Sequence, residues 1–179
     1  MKRPGRSLLA LLTITLASQL VSAQDGGSIL IRGAVLKPGR WTPGDVKQEF
    51  SDQIQSVTFT AGKDKAQHVG TGIPLLALLQ KAVLKTGEVP KHHDLTFLVI
   101  IEAHDSYRAF FSFAELVPTC GRTQAFLAWE VDGKPLSGDQ VPFRLIVSSD
   151  QGADRNIYGI ATITLVDGTQ LANQLGGGK

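Results

Sequence analysis

Glu102 to Leu116 reads EAHDSYRAFFSFAEL, and the order of residue types within it decides the fold. Polar residues gather at His104-Asp105-Ser106, which reads as a turn. Tyr107, Ala109, Phe111 and Phe113 then fall on one face of a strand at period 2, with Ser106, Arg108 and Ser112 on the other. Phe110 breaks that alternation, so the strand is expected to be apolar on both faces and interior to its sheet. Ser112 and Glu115 form S-x-x-E, a capping box that satisfies the first backbone donors of a helix near Phe113 to Val117.

Working outward, the run before this stretch, Leu95 to Glu102 (LTFLVIIE), is continuously apolar and predicts a fully buried strand after a polar turn at Pro90 to Asp94. Pro74 opens the clearest helix. Leu75, Leu76, Leu79 and Val83 recur at helical spacing, and Gly87 stands where a C-terminal glycine belongs. Nearer the start, Ser28 to Val35 and Gln55 to Ala61 are rich in β-branched residues and predict two strands. Between them lie a turn at Lys37-Pro38-Gly39 and a short helix to about Phe50, with Thr42 at its N-cap and Pro43 at its first position. Gly62 to Gly72 is polar and reads as an exposed loop.

Downstream, Pro118 to Thr123 is a loop, and Ala125 to Val131 is a strand running into Asp132-Gly133, a dipeptide suited to a two-residue hairpin turn. Pro142 to Ser148 and Ile157 to Val166 complete the strands, separated by a polar loop at Ser149 to Asn156. Residues 169–179 read as a disordered glycine-rich tail. With no internal repeat and no linker, residues 24–168 are expected to form one α+β domain.

The first 23 of the 179 residues have the pattern of a signal peptide: Lys2, Arg3 and Arg6, then an apolar Leu8 to Leu20, then Val21-Ser22-Ala23 before Gln24. The apolar core is too short for a stable membrane span, so a periplasmic or secreted product is expected. Cleavage removes three basic residues and no acidic one, leaving 15 Lys and Arg against 16 Asp and Glu. No Lys/Arg cluster is interleaved with aromatics, and nucleic acid is therefore not an expected partner. Cys120 is the only cysteine. It excludes an internal disulfide and a Cys-x-x-Cys zinc site, and is expected to be a buried or inert thiol.

Four ordered segments carry a resemblance. They are Gly70-Thr71-Gly72-Ile73-Pro74-Leu75, Asp105-Ser106-Tyr107-Arg108 with Phe113-Ala114-Glu115-Leu116, Leu127-Ala128 with Asp132-Gly133-Lys134-Pro135-Leu136, and Val141-Pro142-Phe143-Arg144-Leu145-Ile146-Val147. Together they resemble the molybdopterin-binding domain of sulfite-oxidase-like oxidoreductases, in order and spacing, across residues 29 to 166. The resemblance implies a mixed α+β fold with a pterin-sized cleft and allows molybdopterin as a cofactor. Catalytic members ligate molybdenum through a cysteine near the end of an early strand. The matching place, Val57 to Gly62, has none, and a threonine hydroxyl does not replace a soft thiolate. Cys120 lies on another part of the chain, and the leader lacks a twin-arginine signal. The expectation is a non-redox binding module with no cofactor and no metal, taking a small polar or anionic ligand or a protein partner. The alternative is a molybdopterin-dependent oxidoreductase with an atypical ligand set. Ile31 to Gly39 is also similar to the opening of the ligand-binding domains of polysaccharide export proteins, over that short stretch only.

No catalytic residue is assigned. The candidate ligand- or cofactor-binding residues are Thr60, Lys63, His68, His104, Asp105, Tyr107, Arg108 and Arg155. His104 to Arg108 follow a buried strand, where binding groups often sit, but they equally suit a solvated turn whose Asp caps backbone donors. Lys63 and His68 belong to a possible anion-facing loop. Arg155 could fork onto an anion, although Asp150 and Asp154 favour local pairing. His92-His93-Asp94 has metal-ligand residue types with no third ligand placed by spacing.

Overall fold

Among the described residues the β-branched and aromatic runs form ten strands, ordered into two five-stranded sheets, with four α-helices against and between them. The computed structural model describes residues 27–62, 65–86 and 91–176; the leader, Lys63 and Gly87 lie outside them. In chain order the elements are β1 (Ile29–Gly33), β2 (Gly39–Trp41), α1 (Pro43–Glu49), β3 (Gln55–Ala61), β4 (Ala66–Pro74) and α2 (Leu75–Ala82). Next come β5 (Phe97–Ala103), β6 (Arg108–Ser112), α3 (Phe113–Leu116), β7 (Ala125–Val131), β8 (Lys134–Pro135), β9 (Arg144–Val147), β10 (Ile160–Asp167) and α4 (Gly168–Gly176). The fold is α+β.

The first sheet has the order β2-β1-β10-β5-β6; β1 and β10 are parallel and the other pairs antiparallel. The second runs β3-β4-β7-β8, with β9 also paired to β7. One core joins them: Ile29, Ile31, Phe97, Val99, Ile101, Phe111 and Leu165 from the first sheet, Leu127, Leu145 and Val147 from the second, and Leu75, Leu78 and Leu79 from α2. The second sheet's other face carries a smaller cluster of Phe59, Ala61, Phe126, Ala128 and Ile146. Among the described residues no helix is long and apolar enough to cross a membrane.

Local signals set several ends as expected. Thr42 caps α1 in a reciprocal capping box with Asp45, and Ser112 does the same for α3 with Glu115. Asp132 and Gly133 both have left-handed φ (53° and 72°), the requirement of the two-residue turn that links β7 to β8.

Five expectations are corrected. The polar stretch Gly62 to Gly72 is not a loop over most of its length: β4 pairs with β3 in unbroken register from Gln55↔Gly72 to Ala61↔Ala66. β6 is an edge strand rather than an interior one, because among the described residues β5 is its only neighbour; Phe110 is 60% exposed as a result. The residue that closes the apolar period of α2, Val83, is not helical but sits at φ 55° just past its end. The expected disordered tail is helical as far as Gly176, because the Asp167 carboxylate accepts from the Thr169 and Gln170 N–H groups and caps α4; residues 177–179 lie outside the described ones. Cys120, finally, is exposed rather than buried.

Candidate functional site

The turn between β5 and β6 brings Ala103, Asp105 and Tyr107 against Ala153, Asp154, Asn156, Ile157 and Tyr158, around a cavity of about 250 Å³. Asp105 accepts the Tyr107 N–H at 2.9 Å, and the Tyr107 hydroxyl donates to the Asp154 carbonyl at 2.6 Å, tying the two loops together. His104 is exposed beside them, its N–H donating to the Gly159 carbonyl. Of the expected binding residues, then, Asp105 and Tyr107 line one pocket.

The two arginines of that set are engaged elsewhere. Arg108 donates from Nε to Glu102 at 2.7 Å across the β5–β6 ladder. That bond holds the Glu102 carboxyl below its ordinary value and the Arg108 guanidinium above its own. Arg155 forks onto Asp150 at 2.6 and 2.7 Å, reaches Glu115 at 3.5 Å and lies over the Phe111 ring. The Asp150 bond raises its pKa. Local pairing with Asp150 is thus observed.

Thr60 and His68 stand on the β3–β4 hairpin but on opposite faces. Phe59 is the register partner of His68, and Thr60 that of Gln67. His68 Nδ1–H donates to Asp132 at 2.8 Å, while the other Asp132 oxygen accepts the Val69 N–H. Those two bonds hold the Asp132 carboxyl below the usual range.

A cleft of about 530 Å³ opens at the start of β3. Its polar wall is Gln55, Ser56, Thr58, Thr123, Gln124 and Ser148, and Val57, Leu76, Leu116, Pro118 and Phe126 supply apolar surface. Phe59, Tyr107 and Phe110 leave that space open. A pterin cofactor is therefore not refused on volume. The donor set is the obstacle, since the walls hold hydroxyls and carboxamides, no thiolate for molybdenum and no cation for a phosphate. Cys120 is not among the lining residues.

Two features were not read from the sequence. Arg144 is 5% exposed and its guanidinium lies against the rings of Phe59 and Tyr158, at 4.6 and 4.2 Å. Burial pushes its pKa down, against the attraction of Tyr158 and Asp132. A lone arginine inside the apolar strand PFRLIVS was the available signal. The second feature is His93, whose Nε2 lies 3.1 Å from an Asp167 oxygen at the base of α4. Among the described residues no group of three or more His, Cys, Asp or Glu could hold a metal.

Burial raises the Asp167 pKa, but the His93 bond and the Gln170 and Thr169 N–H groups outweigh it, and the net shift is downward. A carboxyl with a lowered folded pKa contributes stability that is present above its unfolded pKa and lost as pH falls through the folded one. Asp167→Asn is expected to lower stability at neutral pH and to flatten its decline between about pH 5 and pH 2. Denaturant titrations of both proteins at several pH values check this; parallel curves would refute it.

No family model matches the chain, and no curated protein matches it. Among solved structures it is similar to the sulfane dehydrogenase SoxCD from Paracoccus pantotrophus, with a TM-score of 0.59 and 18% identity. The match covers 78% of this chain and 38% of that one, so this chain spans well under half of the neighbour's length. At that identity the likeness concerns the fold alone, which is a distant sulfite-oxidase-like fold.

Proposed function

We propose that this chain is an exported, non-redox binding module that holds a small polar ligand in the cleft beside β3. One observation carries the reading. The cleft keeps the volume for a ligand, while its polar wall is made of the side chains of Gln55, Ser56, Thr58, Thr123, Gln124 and Ser148. Hydroxyls and carboxamides donate and accept hydrogen bonds without charge, and the apolar residues opposite exclude water from those bonds. The pocket of Asp105 and Tyr107 is a second, smaller place for a polar group or for a segment of a periplasmic or secreted protein partner. The leader pattern supports export, to the periplasm or beyond.

The rival reading, a molybdopterin-dependent oxidoreductase with an atypical ligand set, has the cleft volume in its favour and the donor chemistry against it. Protein isolated from its native export compartment separates the two. The binding module is expected to carry no stoichiometric molybdenum and to give no pterin fluorescence after oxidative extraction. Stoichiometric molybdenum would overturn the proposal. N-terminal sequencing of the same material should begin at Gln24 if the leader is cleaved as its pattern predicts.

A further inference from the structure

Arg144 is a buried cation without a hydrogen-bond acceptor among the described residues. Among the described residues no side chain or carbonyl accepts a hydrogen bond from its guanidinium, and its Nε is buried without a partner. An unanswered N–H on a desolvated charge is costly, and a fold that keeps one has left a position for an acceptor. Asp132 attracts it from a distance, but both Asp132 oxygens are taken by His68 Nδ1–H and the Val69 N–H. Arg108 and Arg155, the two arginines among the candidate binding residues, already have carboxylates.

The sheet builds the place where this cation lies. Arg144 on β9 is the register partner of Ala128 on β7, and the next strand inward, β4, carries Gly70. Both residues are small. A Cβ on Gly70 would collide with Ile146 Cδ1 and stand 3.6 Å from the Phe59 ring. Ile146 from β9 fills the space over Gly70 against Phe59 on β3, so side chains of β9 on this face pack across the sheet toward that ring. The guanidinium carbon lies 4.6 Å from the centre of the Phe59 ring and 4.2 Å from that of Tyr158. His68 packs on the far part of the Phe59 ring, with centroids 5.6 Å apart.

We propose that Arg144 is the anchor of a carboxylate-binding site, formed with Phe59 and Tyr158 and separate from the cleft beside β3. The rings engage the guanidinium through π contacts, and its N–H donors all lie on the in-plane edge. That edge is a fork of parallel N–H donors, which matches the two coplanar oxygens of a carboxylate. Charge points to the same class: one cation with the Asp132 carboxylate in its surroundings neutralises a monoanion, whereas a phosphate dianion would keep a buried charge unbalanced. The half-exposed Tyr158 ring and the Phe59 edge favour an apolar or aromatic body behind the carboxylate. A free organic acid and the C-terminus of a peptide share this chemistry.

The test is a titration of the full chain, following the Arg144 Nε–H resonance by nitrogen-resolved NMR, with benzoate, a short peptide ending in a free phenylalanine carboxylate, the same peptide as its amide, and inorganic phosphate. Saturable shifts with benzoate, the free-acid peptide or both are expected, and which of them binds more tightly identifies the source. The amide and phosphate should leave the resonance in place. Arg144→Lys keeps the charge but loses the fork, and should weaken benzoate binding roughly tenfold or more. Should that variant not fold, Tyr158→Ala on the exposed side replaces it, with a loss of several-fold expected. Absence of saturation with every carboxylate overturns the proposal, as does a phosphate shift equal to that of benzoate. The molybdenum measurement is independent of this result, so the two proposals fail separately.

Discussion

Gly72→Ala is expected to lower the thermal midpoint by roughly 6–12 °C, the shift that about 3 kcal/mol produces in a chain of this size. Gly72 lies on β4, beside an irregularity in its register with β7. A Cβ there would overlap the Leu127 carbonyl oxygen and stand 2.7 Å from the Ala128 Cα. Both are backbone atoms of a fully buried strand segment, so no rotamer change relieves the clash. The strands must part, and the core residue Leu127 moves with them. Gly39→Ala is the control. Nothing lies within 4 Å of its built Cβ, and its φ is not left-handed. Its effect should stay within about 0.5 kcal/mol. Melts of both variants followed by circular dichroism decide the matter; equal midpoints would show that β4 does not approach β7 as closely as described.

Phe111→Ala and Phe110→Ala, at neighbouring positions, are expected to differ by most of the stability that one aromatic side chain supplies. Phe111 is 1% exposed, packs in the main core and carries the Arg155 guanidinium on its ring. Its truncation should cost about 3–5 kcal/mol through lost burial and the cavity left behind. Phe110 points the other way on an edge strand, opposite the half-buried Ile100, and its removal should change stability by no more than about 0.5 kcal/mol. Denaturant midpoints measure the difference. Comparable losses at both positions would mean that the outer face of the first sheet is covered in solution.

That pair also shows how far EAHDSYRAFFSFAEL was legible. Its turn and its capping box depend on neighbouring residues alone and are present, with Asp105 bonded to the Tyr107 N–H and Ser112 and Glu115 reciprocal; of its period-2 face, Ala109 and Phe111 point inward, while Tyr107 is half exposed ahead of the strand and Phe113 already begins the helix. What Phe110 does depends on whether a further strand lies beyond β6, and no residue of the stretch encodes that. The same limit explains β4. Gln67, His68 and Thr71 give it the composition of a loop, yet its two neighbours pair with it on either side. Its glycines, which suggest a turn when read singly, are what let β7 come close.

The sequence by itself determined the local conformations: the β-rich runs, the helix starts at Thr42, Pro74 and Ser112, the hairpin turn at Asp132-Gly133, and the absence of a cysteine from the strand Gln55 to Ala61. These follow from backbone propensity, capping and side-chain chemistry, which act over a few residues. Only the tertiary structure decided which charges are answered. Arg108 and Arg155 find carboxylates, and Arg144, brought from β9 against Phe59 and Tyr158, finds none among the described residues. A counter-ion is a matter of distance in space, and the residues that supply or withhold it lie as far as 85 positions along the chain from Arg144.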